Sequence, residues 1–364
     1  MRYVVSSSAP GRVDLFNTHQ DYKGLPVVPA AVNLRTATEG SPGGWPLKVK
    51  SINMGEEVEV KPDDEVDVNR WEGYVIAALK ALKRHGYNIG GGSIVVRSNV
   101  PIASGLASSA ALLVSVINWF NKAYGLGLGK RELAELAYEA EHDIMGIPCG
   151  RLDQYSSAYG GLIVLEPKPP YNVEELGLKK LDFIVVDSGV RHRTLNVHSV
   201  RQRELREALN MLKEAMPREY WPMLDAPLDQ VDWVKLSNLA KPYLETLDNL
   251  HRKRLEFTFK MNESTMEAIA ELRKDNPDKV KLGRIMNIQH ELLRDLYEVS
   301  IPELEEIKRT LDEAGALGAK ISGAGLGGSI VALAKDVEEA RQIVDRYIKD
   351  RWSSWIVSID VGAY

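Results

Sequence analysis

The chain has 364 residues, of which 44% are hydrophobic and 27% are charged, and its formal net charge is −5. Single hydrophobic cores rarely extend beyond roughly 250 to 300 residues, so this length predicts two domains. No apolar run is long enough to cross a bilayer, and the mild negative charge argues against a broad surface for nucleic acid.

Cysteine usage and the amino-terminal residues bear on the cellular location. The one cysteine, Cys149, excludes an intramolecular disulfide and a cysteine-based zinc site, as expected in a reducing compartment. The first residues pass into three serines at 6–8 without the sustained apolar segment of a secretion signal. We therefore expect a cytoplasmic protein with no membrane partner and no nucleic-acid partner.

Hydrophobic periodicity alternates along the chain between period two and period three to four, which predicts mixed α and β layers. Residues 93–100 form a predicted strand, which Pro101 ends, and a glycine-containing turn leads into a predicted helix at 110–120. Further predicted elements are helices at 131–145, 200–215, 262–273 and 301–314, and strands at 183–186 and 330–333. The proline-rich stretch 167–170 is the expected linker, and residues 216–235 indicate an irregular insertion.

The glycine turn between the predicted strand and helix carries the first chemical signal. It reads PIASGLASSA at 101–110, which puts small residues and free backbone N–H groups at a helix amino terminus. Such a turn suits phosphate, because glycine allows close approach and the helix start carries partial positive charge. The lysine of a Walker loop is missing, and a well-capped helix explains the same residues equally well.

Two carboxylates close to a helix end carry the second signal. They are Glu141 and Asp153, in the segment AEHDIMGIPCGRLDQ at 140–154. Glu141 falls at the margin of an apolar helical stripe, where an unpaired carboxylate is costly to bury. A bound cation would remove that cost, but partial exposure or an arginine partner would do so as well.

A glycine-rich loop near the carboxyl end, KISGAGLGGS at 320–329, carries the third signal. Gly323, Gly325 and Gly328 satisfy the loose dinucleotide-binding pattern, but that pattern requires a following helix. Residues 330–333 read as a short strand instead, so a nicotinamide enzyme is the least favoured interpretation. Four glycines in six residues exceed the needs of a tight turn, and we expect a ligand-facing loop between two strands.

These three segments, in this order, resemble the motifs of the GHMP kinases, and the amino-terminal segment is similar to that of the galactokinase branch. APGRVDLFNTHQDY at 9–22 resembles the galactokinase signature PGRVNLIGEHTDY. WEGYV at 71–75, SGVRH at 188–192 and LRDLYEVSIPEL at 293–304 resemble further stretches of that family. The resemblance implies two α+β domains, expected at 1–175 and 176–364, with the active site in the cleft between them.

The resemblance also implies transfer of a phosphoryl group from ATP to a sugar hydroxyl, with Asp153 and Arg12 as the catalytic residues. Asp153 would orient the hydroxyl and accept its proton, and Arg12 would neutralise charge on the moving phosphoryl group. Glu141 and Ser109 would hold Mg²⁺, which prefers oxygen ligands. The residues expected at the nucleotide are Trp71, Gly105, Leu106, Ala107, Ser108, Ser109, Gly323 and Gly325. A lone aromatic residue such as Trp71 also fits an ordinary core position.

The sugar-binding residues implied by the resemblance are His19, Asp21 and Gly150, each of which matches the family pattern. The pocket tyrosine of the family has no aligned counterpart, and His198 or Ser199 falls near its place. We expect the anomeric C1 hydroxyl of galactose, or of a closely related hexose, to be the acceptor.

Two departures from the family pattern bear on the substrate. Thr18 stands where galactokinases carry a glutamate that contacts the C6 hydroxyl, and Arg151 stands where they carry an apolar residue. Loss of a negative group and gain of a positive one make a sugar acid such as galacturonate an alternative substrate, with an N-acetylhexosamine as another. Both residues are therefore expected at the sugar pocket, although Arg151 could equally point to solvent or pair with Asp143.

Other functions remain open at this stage. A related kinase that acts on mevalonate or homoserine would keep the fold, although the sugar segment, HQDY at 19–22, argues against it. A non-catalytic sugar sensor would not require Arg12, Glu141 and Asp153 together. The expected partners are the sugar and ATP, and the protein is expected to be a monomer or a homodimer.

Overall fold

The computed structural model describes residues 3–191 and 194–364, so His192 of the motif at 188–192 lies outside the described residues. Within these ranges, eleven strands form two sheets with helices packed against them. The strands are β1 (Val5–Phe16), β2 (Val28–Gly43), β3 (Leu47–Ser51), β4 (Glu56–Val60), β5 (Gly91–Ser98), β6 (Leu162–Leu165), β7 (Val173–Gly177), β8 (Asp182–Asp187), β9 (Gly318–Ser322), β10 (Ser329–Ala334) and β11 (Ser354–Ser358).

The described helices divide into longer α-helices and several short turns. The α-helices are α1 (Trp71–Arg84), α2 (Ser108–Tyr124), α3 (Lys130–Tyr138), α4 (Leu152–Tyr159), α5 (Thr194–Ala215), α6 (Trp221–Asp225), α7 (Trp233–Leu239), α8 (Asn249–Leu272), α9 (Lys279–Asp295), α10 (Pro302–Glu313) and α11 (Val337–Ile343). Two π-helical turns occur at Glu139–Ile144 and Val344–Ile348, and 3-10 turns occur at Asp21–Lys23, Arg218–Tyr220, Leu228–Gln230 and Lys241–Thr246. None of the described helices is long and apolar enough to cross a membrane.

The first sheet has the strand order β4-β3-β5-β2-β6-β7, with β1 paired to β2. Helix α2 is apolar on nearly all sides, as expected for a helix that is buried between other elements, and Trp119 and Phe120 in it are fully buried. Helices α1, α3 and α4 pack around α2 and complete the core of this layer. The strand β1 and the start of α2 are thereby fixed next to each other.

The second sheet is antiparallel with the order β11-β8-β10-β9, and its core is closed by residues of α8, α9 and α10. A further cluster of buried residues joins the two sheets, with Phe16 of β1, Met286 of α9 and Val331 of β10 as members. The two sheets thus share one packed boundary. The two sheets confirm the two-domain fold that the sequence predicted. The domain boundary at 175/176 stays a prediction.

Most of the predicted elements are present, with shifted ends. The strand at 93–100 is β5, the helix at 110–120 lies inside α2, and the glycine loop does lie between two strands, β9 and β10. The segment at 131–145 is α3 followed by a π-helical turn. A helix does not follow the loop at 323–328, which disposes of the dinucleotide-binding interpretation.

The proline-rich stretch 167–170 is not a linker between the two sheets, which corrects the expectation. It connects β6 to β7, which pair antiparallel in the first sheet. Backbone hydrogen bonds from Glu166 N to Asn172 O (2.9 Å) and from Tyr171 N to Lys168 O (2.5 Å) close this connection. The prolines therefore shape a hairpin, since they cannot continue either strand.

The insertion at 216–235 forms short helical turns that pack on α5 and α8 and support the sugar segment. Trp233 is buried and its indole N–H donates to Lys23 O at 2.9 Å. Gly24 lies so close to the insertion that an added Cβ would meet Asp229 O at 2.3 Å. The insertion, whose role the sequence did not reveal, buttresses the turn Asp21–Lys23 from outside.

Candidate active site

Arg12 and Asp153 form an ion pair where β1 passes the first turn of α4. Arg12 Nε donates to Asp153 Oδ1 at 2.7 Å, and Nη2 lies 2.7 Å from the same oxygen. The guanidinium is also held by Gly105 O through Nη1. Arg12 is nearly buried, whereas the side chain of Asp153 keeps 30% of its surface exposed. The carboxylate is therefore partly exposed and its arginine partner is buried. The pairing implied by the resemblance is present, and the catalytic roles of the two residues stay a prediction.

The phosphate-loop candidate is fixed against this pair. Arg12 N donates to Leu106 O at 3.0 Å, and Gly105 has a φ of +77°. An added Cβ at Gly105 would meet Ser322 O, on the opposite side of the cleft, at 2.7 Å. Glycine is required here because both the left-handed backbone and the close approach exclude a side chain.

Helix α2 begins at the end of this loop. Ala107 adopts a left-handed conformation with a φ of 59°, and Ser108 and Ser109 are the first residues of the helix. A non-glycine residue in this region is uncommon and costs conformational energy, which is a feature of functional turns. The unpaired N–H groups of the first helical turn give this end of the cleft a positive potential suited to phosphate.

Glu141 lies in the π-helical turn Glu139–Ile144, a type of irregularity frequent at functional sites. Its side chain is buried, with 6% exposure, and Gln154 Nε2 donates to Oε2 at 2.7 Å. Burial raises the pKa of the Glu141 carboxyl to about 7, although hydrogen bonds from Ser109 and Gln154 oppose that shift. The sequence placed Glu141 at the margin of an apolar stripe, and the structure shows it inside.

The surroundings of Glu141 fit a magnesium ion for which the protein supplies only some of the oxygen ligands. A buried carboxylate in an apolar environment is stabilised by a cation, and the hydroxyl of Ser109 adds a second oxygen. Within residues 3–191 and 194–364, no group of three or more His, Cys, Asp or Glu side chains forms a metal cage. Mg²⁺ in kinases commonly takes one or two protein oxygens plus water and phosphate, and these residues match that pattern.

The late glycine loop between β9 and β10 closes the other side of the cleft. Leu326 N donates to Val299 O at 2.7 Å, and Gly328 N donates to Val190 O at 3.1 Å. Ser329 Oγ donates to Ser104 O at 2.6 Å and so joins this loop to the phosphate loop. The two loops line one small pocket, whose residues are Ala103, Gly105, Val190, Ser322, Ala324, Gly325, Gly327 and Gly328.

Gly323 and Gly325 each hold a left-handed backbone in this loop, with φ of +88° and +78°. An added Cβ at Gly325 would meet Val299 O at 2.4 Å. The segment at 293–304 therefore contributes the carbonyl of Val299, against which the glycine loop packs closely. This explains physically why a segment so far from the phosphate loop in sequence belongs to the same site.

Asp21 and Gly150 meet at the sugar end of the cleft. A Cβ at position 150 would lie only 1.6 Å from Asp21 Oδ2, so only glycine permits this contact. Burial raises the pKa of the Asp21 carboxyl to about 6, and the charges of Asp14 and Asp153 act in the same direction. The structure thus brings Asp21 and Gly150 together near Asp153, and their contact with a sugar stays a prediction.

His19 reaches the same place, but its ring nitrogens are already engaged by the protein. Nε2 lies 3.0 Å from Ala324 O in the glycine loop, and Nδ1 lies 3.3 Å from Tyr22 Oη. Tyr22 Oη lies in turn 2.6 Å from Tyr297 Oη. Burial lowers the pKa of His19 well below its usual range, so the ring is neutral. His19 thereby ties the sugar segment to the glycine loop.

Thr18 is buried, and its hydroxyl is engaged by a lysine that the sequence analysis missed. Lys320 Nζ donates to Thr18 Oγ1 at 2.7 Å, to Asp14 O at 2.8 Å and to Ile321 O at 2.9 Å. Burial lowers the pKa of Lys320 to about 8. A charged residue within the short apolar strand preceding the glycine loop was the available signal. This lysine joins β9 to β1 beneath the cleft.

Arg151 does not contribute a free positive charge to the sugar pocket, which corrects the expectation. Its guanidinium donates to Glu135 Oε1 at 2.9 Å and to Glu135 Oε2 at 3.2 Å. The guanidinium carbon lies 3.8 Å from the ring centroid of Tyr138 and 3.9 Å from that of Tyr171. Two hydrogen bonds and two aromatic rings hold the guanidinium in this position and compensate its desolvation.

Arg151→Ala is expected to lower the melting temperature by several degrees without changing sugar preference. Its contacts with Glu135, Tyr138 and Tyr171 are worth about 1–3 kcal/mol. The measurement is thermal unfolding together with turnover of galactose and galacturonate, and Arg203→Ala, at a surface arginine, is the control. A galacturonate activity that disappears in Arg151→Ala would return Arg151 to the pocket.

Trp71 lies at the first residue of α1, away from the contacts described so far. Its indole N–H donates to Glu56 Oε2 at 2.9 Å, and its ring packs on the first core. Tyr74, one turn later, is close enough to Glu141 for the two groups to interact. A role of Trp71 at the adenine stays a prediction.

Three family models match this chain. One, described as the galactokinase galactose-binding signature, covers residues 3–42. The two others are the GHMP kinase N-terminal domain at residues 73–161 and the GHMP kinase C-terminal domain at residues 265–353. The matched ranges contain the sugar segment, the phosphate loop with Glu141 and Asp153, and the late glycine loop.

Curated relatives and solved structures agree with these matches. A galactokinase from Thermotoga neapolitana is 32% identical over 352 residues, 94% of either chain, and one from Thermococcus kodakarensis is 30% identical over 94% of this chain and 93% of its own. The structure of Lactococcus lactis galactokinase complexed with galactose has a TM-score of 0.81 at 26% identity, and covers 99% of this chain and 95% of that one. Methanococcus jannaschii mevalonate kinase, with a TM-score of 0.72 at 19% identity over 99% of both chains, shares the fold.

Proposed function

The chain belongs to the galactokinase branch of the GHMP kinase family, and from that premise we propose that it phosphorylates galactose at the C1 hydroxyl. The observation that carries this proposal is the Arg12–Asp153 pair at the end of the phosphate loop. A carboxylate that faces the cleft and is fixed by an arginine supports transfer of a phosphoryl group to a hydroxyl.

In the proposed reaction, the C1 oxygen of the sugar bonds to the γ-phosphorus of ATP. The bond from that phosphorus to the bridging oxygen breaks, and ADP leaves with the electron pair. Asp153 orients the C1 hydroxyl and accepts its proton, while Arg12 opposes the charge that develops on the transferred group. The N–H groups of residues 105–109 receive the phosphates, and Gly323 and Gly325 close over them.

Glu141 and Ser109 would hold Mg²⁺ in this scheme. The ion would supply positive charge that offsets the negative charge of the phosphates. The buried and partly protonated state of Glu141 supports this assignment, because the cation would compensate its burial. Cytoplasmic location and a monomeric or homodimeric state stay predictions from the sequence.

The charges around the sugar end of the cleft favour a neutral hexose over a sugar acid. Asp14, Asp21 and Asp153 are close enough to repel one another. Arg12 is engaged by Asp153, and Lys320 is engaged by Thr18 and the carbonyl of Asp14. A hexuronate would add a further carboxylate to this group, so we place galacturonate behind galactose.

The test is ADP release with Mg-ATP against galactose, glucose, N-acetylgalactosamine, galacturonate, glucuronate and mevalonate. We expect turnover of galactose with a product phosphorylated at C1, which phosphorus NMR identifies. Turnover of galacturonate or N-acetylgalactosamine in preference to galactose would change the substrate and keep the reaction. No turnover of any sugar, with nucleotide and galactose still bound, would favour a sensor.

A further inference from the structure

His198, in the first turns of α5, packs against His19 and Tyr22. Its ring centroid lies 4.9 Å from that of His19, with the two planes tilted by 48°. The ring lies 5.6 Å from that of Tyr22 in an edge-on arrangement. On the other side, its charge state responds to Asp153. This imidazole thus lies beside His19 and Tyr22 and close enough to Asp153 for the two charges to interact.

The ring nitrogens of His198 differ from those of its neighbour. His19 uses both of its nitrogens for Ala324 and Tyr22. For His198, neither nitrogen has a hydrogen-bond partner among residues 3–191 and 197–364, the part of the chain whose side chains the structure describes, and neither is among the fully buried unpaired atoms there. The side chain is only partly buried. In contrast to His19, the described side chains and backbone groups do not hold the His198 nitrogens, and the partial exposure of the residue leaves room for a contact with a bound molecule.

The charge state of His198 suits a hydroxyl. Burial lowers its pKa, which the negative charge of Asp153 opposes, so the ring is neutral near pH 7. The groups that face it from the sugar segment are His19 and Tyr22. On its own helix, Arg201 is engaged by Glu204 and by Glu298 O. A neutral imidazole carries one donor and one acceptor, and a sugar hydroxyl offers the matching pair.

We propose that His198 binds a hydroxyl of the sugar and so contributes to substrate specificity, whereas His19 holds the glycine loop in position. This inference rests on the proposed galactokinase activity. It assigns the contact to the one of the two neighbouring imidazoles whose nitrogens have no hydrogen-bond partner among residues 3–191 and 197–364. Because the contact is to the substrate alone, its loss affects the KM for galactose and leaves the KM for ATP unchanged.

The variant that isolates the nitrogens is His198→Phe, since it keeps an aromatic ring against His19 and Tyr22. We expect the KM for galactose to rise about 3- to 10-fold, the effect of one lost hydrogen bond. His198→Gln, which keeps a donor and an acceptor, should recover part of this loss. His85→Phe is the matched control, because His85 pairs with Glu139 on the exposed surface.

Deoxygalactoses identify the bound hydroxyl in the same experiment. Wild type and His198→Phe are compared on galactose and on its 2-, 3-, 4- and 6-deoxy analogues. For the analogue that lacks the contacted hydroxyl, the ratio of the two KM values should return to about one, because that contact is absent in both proteins. If His198→Phe does not fold, which thermal unfolding reports, His198→Ala takes its place in the series.

If the wild type turns over galactose, the proposed function stands, and two results would then overturn this inference alone. One is an unchanged KM for galactose in the folded variant. The other is an equal loss on galactose and on all four analogues, which would reveal a general effect on the pocket. Absence of galactose turnover by the wild type would instead remove the proposed function, and this inference with it.

Discussion

Asp153→Asn is expected to lower kcat on galactose by about 10²- to 10⁴-fold, the usual contribution of a positioned general base. Asparagine keeps the size of the side chain but cannot accept the proton of the C1 hydroxyl. Arg12 stays in place because Gly105 O still holds its guanidinium. Binding of ATP, measured by calorimetry, should therefore change much less than turnover, which is measured as ADP release.

The chain offers a matched control for this substitution. Arg35 and Asp360 form another partly buried arginine–aspartate pair at 2.8 Å, with similar exposure and no contact with the cleft. Asp360→Asn should lower stability to a similar extent and leave kcat unchanged. If Asp153→Asn kept a tenth or more of the wild-type turnover, or if both variants lost the same activity, Asp153 would not be the base.

Local patterns in the sequence were sufficient for the segments whose chemistry depends on the backbone. The strand β5, the glycine turn and α2 follow from periodicity and from Pro101, because each depends on neighbouring residues. The loop between β9 and β10 was predicted for the same reason. The resemblance to a family then ordered these segments around Arg12 and Asp153.

Side chains whose partners lie far away in sequence were not predictable in this way. Arg151 was expected in the sugar pocket, but its partners Tyr171 and Glu135 are 20 and 16 residues away and become neighbours only after folding. Lys320 was missed because its acceptors Asp14 and Thr18 lie more than 300 residues earlier in the chain. A pattern of residue types contains no information on such contacts.

Glu141→Gln is expected to abolish most of the activity and yet to stabilise the metal-free protein at alkaline pH. The carboxyl has a pKa of about 7 in the folded chain and about 4.5 when unfolded. Between these values the folded chain retains a proton that the unfolded chain has lost, so stability decreases as pH rises through this range. The full cost, about 3 kcal/mol at most, is present above pH 7. Glutamine does not ionise, so the variant does not have this cost in stability.

The measurement compares the melting temperatures of Glu141→Gln and wild type in a chelator at pH 8 and at pH 4.5. The variant should melt several degrees higher at pH 8, and the difference should become small at pH 4.5, where both side chains are neutral.

With Mg-ATP, turnover should fall about 100-fold, since one ligand of the ion is lost. Glu139→Gln, at the partly exposed start of the same π-helical turn, is the control. Equal melting temperatures at pH 8 together with unchanged turnover would contradict both the buried carboxylate and its role in holding Mg²⁺. A carboxylate that is buried to bind a metal lowers the stability of the metal-free protein. Its replacement is therefore expected to raise stability and to lower activity at the same time.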